Sequence, residues 1–191
     1  MLIFVACDSD SVPIEATSGQ ALVSYARGFK VFEFDTNYVI VIGENRYSFS
    51  KILKNSTYVL SGVTQLQFLK ALNEDTSIIG LFDANYFNDS IIFSRLAKSE
   101  MLNFKQANSP DWELLVKHSG SIVLSYSSFN LDAVMVKNLN LTILPINEFQ
   151  ENHPLGKAEW IKVFGVISGK FSLADSIFRK IEERYLAAKG H

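Results

Sequence analysis

Beyond Lys54 the chain alternates short apolar runs with amphipathic ones, and few architectures accept that alternation. Residues 57–60 read as a strand, 63–72 as a helix, 77–81 as a strand and 90–98 as a second helix. Ser109-Pro110 offers an N-cap and a proline at the first helical position, which predicts a helix through His118. A strand over 121–124, a helix over 131–139 capped by Asn130, and a strand over 141–146 complete the run. Strands separated by helices at these spacings pair in parallel, because a parallel pair needs a crossover and the crossover is a helix. The predicted fold class is therefore α/β, a mainly parallel Rossmann-like sheet flanked by helices.

The flanks carry different signals. Residues 25–34 and 38–42 are rich in aromatic and β-branched side chains around Asp35-Thr36-Asn37, which predicts an N-terminal β-hairpin. Residues 8–23 hold few large apolar side chains and include Pro13 and Gly19, so they read as a leader. At the other end Trp160, Val163, Phe164 and Ile167 follow a helical period, and Ile161 and Val166 widen the buried face. Trp160 is expected in the core. Gly169 supplies a stop, and Ser172 with Asp175 three residues later reads as the start of a new helix. Its stripe is Leu173, Ala174, Ile177, Phe178, Ile181 and Tyr185, with Asp175/Arg179 and Arg179/Glu183 pairs on the polar side. From 172 to 188 it would be about 25 Å long, enough to cross a domain.

Composition narrows the function classes. The 191 residues, 48% of them hydrophobic, suit one substantial core. The 18 basic and 20 acidic residues nearly cancel, and no basic run interleaves with aromatics, so nucleic-acid binding is not expected. No stretch approaches the roughly 20 apolar residues of a membrane span. Cys7 is the single cysteine, which excludes an internal disulfide and a cysteine-rich metal site. Leu2-Ile3-Phe4-Val5-Ala6-Cys7 looks like the end of a lipoprotein signal segment, and Asp8-Ser9-Asp10-Ser11 like a solvated tether. Only Met1 precedes it, so the other reading is a short N-terminus with an inert thiol.

Three segments together resemble a known family. YVLSGVTQLQFLKAL (58–72) is similar to a first strand, cleft loop and helix, and IGLFDANYFNDSIIFSRL (79–96) to a second strand and its Asp/Tyr/Asn loop. Residues 111–160 run through strands ending SYSS and LPINE to HPLGKAEW, the most specific of the three. The pattern resembles the N-terminal lobe of class III periplasmic solute-binding proteins, which serve ABC importers of siderophore-bound iron, haem and cobalamin. The resemblance implies a signal remnant and leader over 1–23, an α/β lobe over 24–170, and an interlobe helix over 171–191 with the second lobe absent. It further implies an ABC permease as partner, a small metal complex as ligand, no intrinsic cofactor, and a place in the periplasm or at the cell surface, held by lipid at Cys7 alone.

Ligands of open α/β sheets gather beyond the carboxyl ends of the strands. That rule selects Ser61, Gln65, Asp83, Asn85, Tyr86, Ser125, Tyr126, Ser127 and Glu148 as ligand-binding candidates. They offer hydroxyls, amides, carboxylates and aromatic faces, suited to gripping a polar group or a planar macrocycle. Each also has a plainer reading as a cap, a turn residue or a packed ring. Glu148, Glu151 and His153 form the densest ionisable group, with His153 expected in solvent ahead of a helix. No phosphate loop, nucleophile elbow or metal-spaced histidine pair is present, so neither catalysis nor a metal site is expected. The alternative function is a noncatalytic interaction module, a stand-alone half-binding-protein lipoprotein that pairs with itself or with another chain through the cleft and an uncovered helix stripe.

Overall fold

Tyr58, Val59 and Leu60 are all fully buried, which a strand requires only when both faces of its sheet are covered. This strand, β4 (Tyr58–Leu60), is the centre of a five-stranded sheet in the computed structural model, which describes residues 21–52, 56–107, 109–126 and 142–190. Its partners are β5 (Ile78–Leu81), β6 (Leu102–Asn103), β9 (Ile122–Ser125) and β10 (Thr142–Pro145), in the order β10-β9-β4-β5-β6. All four pairings are parallel. Helices α1 (Val63–Ala71), α2 (Ser90–Ala97) and α3 (Trp112–Lys117) make the crossovers, as the alternating pattern requires.

Side chains along each strand divide between two cores. Tyr58, Leu60, Ile122, Leu124 and Leu144 enter the larger one with Leu66 and Leu69 of α1, whereas Val59 and Val123 point to a smaller one with Phe82, Phe104 and Leu115. A separate antiparallel sheet of β1 (Lys30–Glu33), β2 (Asn37–Ile42) and β3 (Asn45–Ser50) contributes Val31, Ile40, Ile42 and Phe49 to the larger core. The hairpin is thus as expected, with β3 as an addition. The larger core also takes in α5 (Ile161–Ile167), every residue of which is buried. The long helix α6 (Phe171–Lys189) adds Ala174 and Phe178.

Several local expectations are corrected. Ser109-Pro110 does not open a helix but forms β8, pairing with β7 (Lys105–Gln106), and the helix start moves to Asp111, whose carboxylate accepts from the Leu114 amide. Ser172 does not cap α6, because Gly169 at φ +68° turns the chain one step earlier and the helix begins at Phe171. The helix expected from Lys157 is two short ones, α4 (Pro154–Glu159) and α5, with Trp160 between them. Residues 131–139 with Asn130, Ser127, Cys7 and the leader before residue 21 lie outside the described residues.

HPLGKAEW proves to be a fastening. His153 is not simply solvated: its Nδ1 caps α4 by accepting from the Leu155 amide at 3.1 Å, and its ring stacks on Tyr25 at 5.3 Å. Glu159, fully buried, accepts from the amides of Ser24, Tyr25 and Ala26 and from Lys162 Nζ. Glu151 accepts from the amides of Arg27 and Gly28 and from Trp160 Nε1. Charge-assisted bonds of this kind are roughly twice as strong as neutral ones. Two carboxylates therefore bind the strap 24–28 to the helices, and Gly156 permits it, since a Cβ there would lie 3.2 Å from Tyr25 O and from Glu151.

Candidate functional site

The strand order fixes where a ligand can sit. From β4 the chain moves to β5 and β6 on one side, then returns to the other side for β9 and β10. The ends of β4 and β9 therefore lie side by side at the point where the strand order reverses, which is where open α/β sheets place their ligand crevice. The loop after β4 runs straight into α1, so its conformation is set by the helix start. Gln65, fully buried, turns its Oε1 back to accept from the amides of Ser61 at 2.9 Å and Gly62 at 3.1 Å. Its amide nitrogen reaches Ser61 Oγ at 3.3 Å. Gln65 and Ser61 thus shape the loop.

Three strand ends meet at this crevice. Thr64, exposed on the first turn of α1, donates its hydroxyl to Glu148 Oε1, and Thr64 Oγ1 itself lies 3.2 Å from the Tyr126 hydroxyl. With the single Thr64 hydrogen committed to the carboxylate, the phenol is the donor in that second contact. The result is a chain from Tyr126 at the end of β9, through Thr64 after β4, to Glu148 after β10. Gly62 makes room for it, since a Cβ there would fall 2.0 Å from the Tyr126 oxygen. Phe149, half exposed, meets the Tyr126 ring edge-on at 5.4 Å.

Glu148 is the electrostatic centre of the cluster. It is only 5% exposed, and its Oε2 has no hydrogen-bond partner among the described residues. Burial raises its pKa, against which the Thr64 hydrogen bond and the more distant Lys157 charge work. Burial likewise raises the Tyr126 phenol, and the neighbouring Glu148 charge adds to the rise.

The remaining candidates are distributed unevenly. Asp83 follows β5, whose next amide, Phe82, bonds Leu60 O at 2.8 Å, so this loop borders the β4 loop. Asp83 sits at φ +48°, and its carboxylate accepts from the Ala107 amide at 3.1 Å. Asn85 and Tyr86 are exposed beyond it, Tyr86 at 79%. Ser125 is buried in the sheet, where its carbonyl accepts from Ile146. Ser127 lies outside the described residues. Thr64 and Phe149 are the members that sequence reasoning left off the candidate set. A polar N-terminal helix residue and a lone aromatic inside Glu148-Phe149-Gln150-Glu151 were the available signals.

Elsewhere, a shallow groove beside α6 is lined by Ser24, Lys162, Asp175, Phe178, Arg179 and Glu182. Its charges are largely spent on each other, with Lys162 on Glu159 and Arg179 on Asp175. Among the described residues no group of three His, Cys, Asp or Glu side chains is placed to hold a metal ion.

No family model matches this sequence. An uncharacterised lipoprotein of Methanocaldococcus jannaschii is 26% identical over 138 residues, covering 67% of this chain and 33% of that protein. Among solved structures, the periplasmic haem-binding protein HutB of Vibrio cholerae superposes with a TM-score of 0.56 at 12% identity, over 72% of this chain and 50% of HutB. The triscatecholate siderophore-binding protein FeuA of Bacillus subtilis, solved with ferri-bacillibactin, gives 0.56 at 12% over 80% of this chain and 50% of FeuA. The iron-uptake substrate-binding protein PiuA of Streptococcus pneumoniae gives 0.56 at 12% over 82% and 54%. The fold is that of class III periplasmic binding proteins, matched over about half of each of these structures. The chain spans about half the length of these solved structures and a third of the lipoprotein.

Proposed function

We propose that this chain is the N-terminal lobe of a solute-binding component of an ABC importer, and that it grips a small iron complex, haem or corrinoid without transforming it. The observation that carries the reading is the hydrogen-bonded cluster at the carboxyl edge. At the switch point of a parallel sheet, Gly62 leaves room for Tyr126, and Thr64 and Glu148 supply polar groups beside Tyr126 and the half-exposed ring of Phe149 that meets it, while Tyr86 stands exposed on the loop after β5. That mixture of a few fixed polar groups with aromatic surface suits a compact complex with a polar rim. The fold and its likeness to haem-binding and iron-uptake binding proteins support an importer, and the archaeal relative supports a lipid-anchored, extracytoplasmic location through Cys7. Among the described residues no helix is long and apolar enough to cross a membrane.

One lobe presents one wall of such a cleft. If micromolar binding, about 8 kcal/mol, is shared equally between two lobes, half of it leaves about millimolar affinity. Immobilising the ligand costs the same however few contacts remain, so the loss is at least that large. Titration calorimetry of this chain with haem, cobalamin and ferric hydroxamates is expected to give constants near millimolar for at least one of them. A submicromolar constant for the monomer, or heat from none at millimolar protein, would contradict the reading.

A second reading, self-association as an interaction module, is favoured by Leu173, Ile181 and Leu186, which stay 38–50% exposed along α6. Phe178, on the same stripe, is already buried by the lobe itself, which leaves little continuous apolar surface. Light scattering across the micromolar range separates the two, and a strict monomer removes the second.

A further inference from the structure

The short strand β6 extends the sheet beyond β5 and brings a further chain segment to the carboxyl edge. The Phe104 amide donates to Leu81 O at 2.9 Å, so the parallel pairing continues past the strand and sets Lys105 beside Asp83. Both residues have left-handed backbones, φ +64° for Lys105 and +48° for Asp83, a conformation that side chains other than glycine hold only where their surroundings enforce it. Here the enforcement is direct. The Asp83 amide donates to Lys105 O at 2.8 Å, the Asp83 carboxylate accepts from the Ala107 amide at 3.1 Å, and the Lys105 amide donates to Asn103 Oδ1 at 3.0 Å. Asp83 O accepts in turn from the Tyr86 amide at 2.9 Å. One residue therefore seats both the turn that carries the exposed Tyr86 ring and the segment that carries Lys105.

These bonds fix the Lys105 backbone and leave its side chain to move. Its ammonium pairs with Asp111 Oδ2 at 3.1 Å, with side-chain exposures of 68% and 31%. A pair as exposed as this contributes little, so an arriving anionic oxygen takes the ammonium from Asp111 at small cost. Asp111 keeps its other role, since Oδ1 still accepts from the Leu114 amide. Resting on the binding reading above, we infer that Lys105 is a specificity-determining contact of this lobe, taking a carboxylate or similar anionic oxygen group on the rim of the cargo, with Asp83 as the residue that positions it. The reach is suitable. β6 lies two strands from β4, about 10 Å across the sheet, so a compact complex of that width touches Lys105 and the Thr64 cluster at once.

Three gallium(III) complexes of one linear trihydroxamate test this. They differ only in the pendant amine, which is left as an ammonium, acetylated to a neutral amide, or succinylated to a carboxylate. In equilibrium dialysis against the 191-residue chain at low salt, the carboxylate form is expected to bind about threefold more tightly than the neutral one, and the ammonium form more weakly than either. The differences are expected to close as ionic strength rises. Lys105→Gln should bring the three complexes together, and Lys105→Arg should restore their order. Asp111→Asn keeps an N-cap for α3 while releasing the ammonium, so it should increase the preference for the carboxylate form. A merely structural ion pair predicts instead that neither substitution changes the order of the complexes. Equal binding of all three, or an order that neither Lys105→Gln nor Asp111→Asn moves, overturns the inference and leaves the binding reading standing. Failure of all three to bind at millimolar protein overturns the binding reading and the inference with it.

Discussion

Glu148 and Glu159 are both buried glutamates, yet the groups around them give them opposite roles. Glu159 is satisfied by three backbone amides and Lys162, so it holds the strap 24–28 in place. Glu159→Ala would strand those amides and leave Lys162 only Leu22 O and the longer pair with Asp175, and denaturant unfolding is expected to show a loss of about 3 to 5 kcal/mol. Glu148 has one hydrogen bond and burial against it, and its pKa is raised in the folded state. A raised value means the native protein holds that proton more tightly than the unfolded chain. The associated stability is complete below the ordinary glutamate range and is lost as pH rises through the folded value. Glu148→Gln is therefore expected to stabilise the protein at neutral pH, with the advantage vanishing in acid. An unchanged difference between the two proteins across that range would count against the assigned environment. Asp89 has the opposite sign, since Lys70 and the amides of Ile92 and Ile91 hold its carboxyl low. Its contribution is present at neutral pH and lost as pH falls through that lowered value. As the N-cap of α2 it should cost about 1 kcal/mol on replacement by alanine.

At the scale of elements, period and punctuation made β4, β5, β9 and β10 and the helices α1 and α2 legible in the sequence, whereas the two-residue β6 left no such signal. β4, β5, α1 and α2 lie where the apolar runs put them: the strands are buried almost throughout, and the helices carry enough apolar residues to show their period although Ile92 alone of α2 is buried. β3 was not legible for the converse reason: of Asn45-Arg46-Tyr47-Ser48-Phe49-Ser50 only Phe49 is buried, so the strand rests on pairing with β2. Ser109-Pro110 misled because a proline fits an edge strand as well as a first helical turn. The HPLGKAEW segment was recognisable as specific, but its reason was hidden, since the strap it grips lies more than a hundred residues earlier in sequence. The same limit applied to the site: which loop faces which depends on strand order, and strand order depends on contacts too distant to leave a local pattern. The junction of α5 and α6 offers a test of close packing. A Cβ on Gly165 would fall 2.4 Å from Ala174 Cβ and 3.1 Å from Phe171 Cα, so Gly165→Ala must push the helices apart. A loss of about 1 to 3 kcal/mol in thermal or denaturant unfolding is expected.

For the whole molecule, the sheet, its two cores and the helix α6 make a platform whose chemistry is concentrated on one edge. The groove beside α6 and the strap carboxylates are richer in charge than the crevice, but their charges are internally matched. The carboxyl edge differs because Glu148 Oε2 has no hydrogen-bond partner among the described residues. Amide NMR of the isotopically labelled chain, titrated with a neutral gallium trihydroxamate, tests this most directly. The expected result is saturable shifts, near millimolar, centred on 61–64, Tyr126 and 147–149. Shifts confined to α6, or none at all, would contradict the assignment of the carboxyl edge as the binding wall.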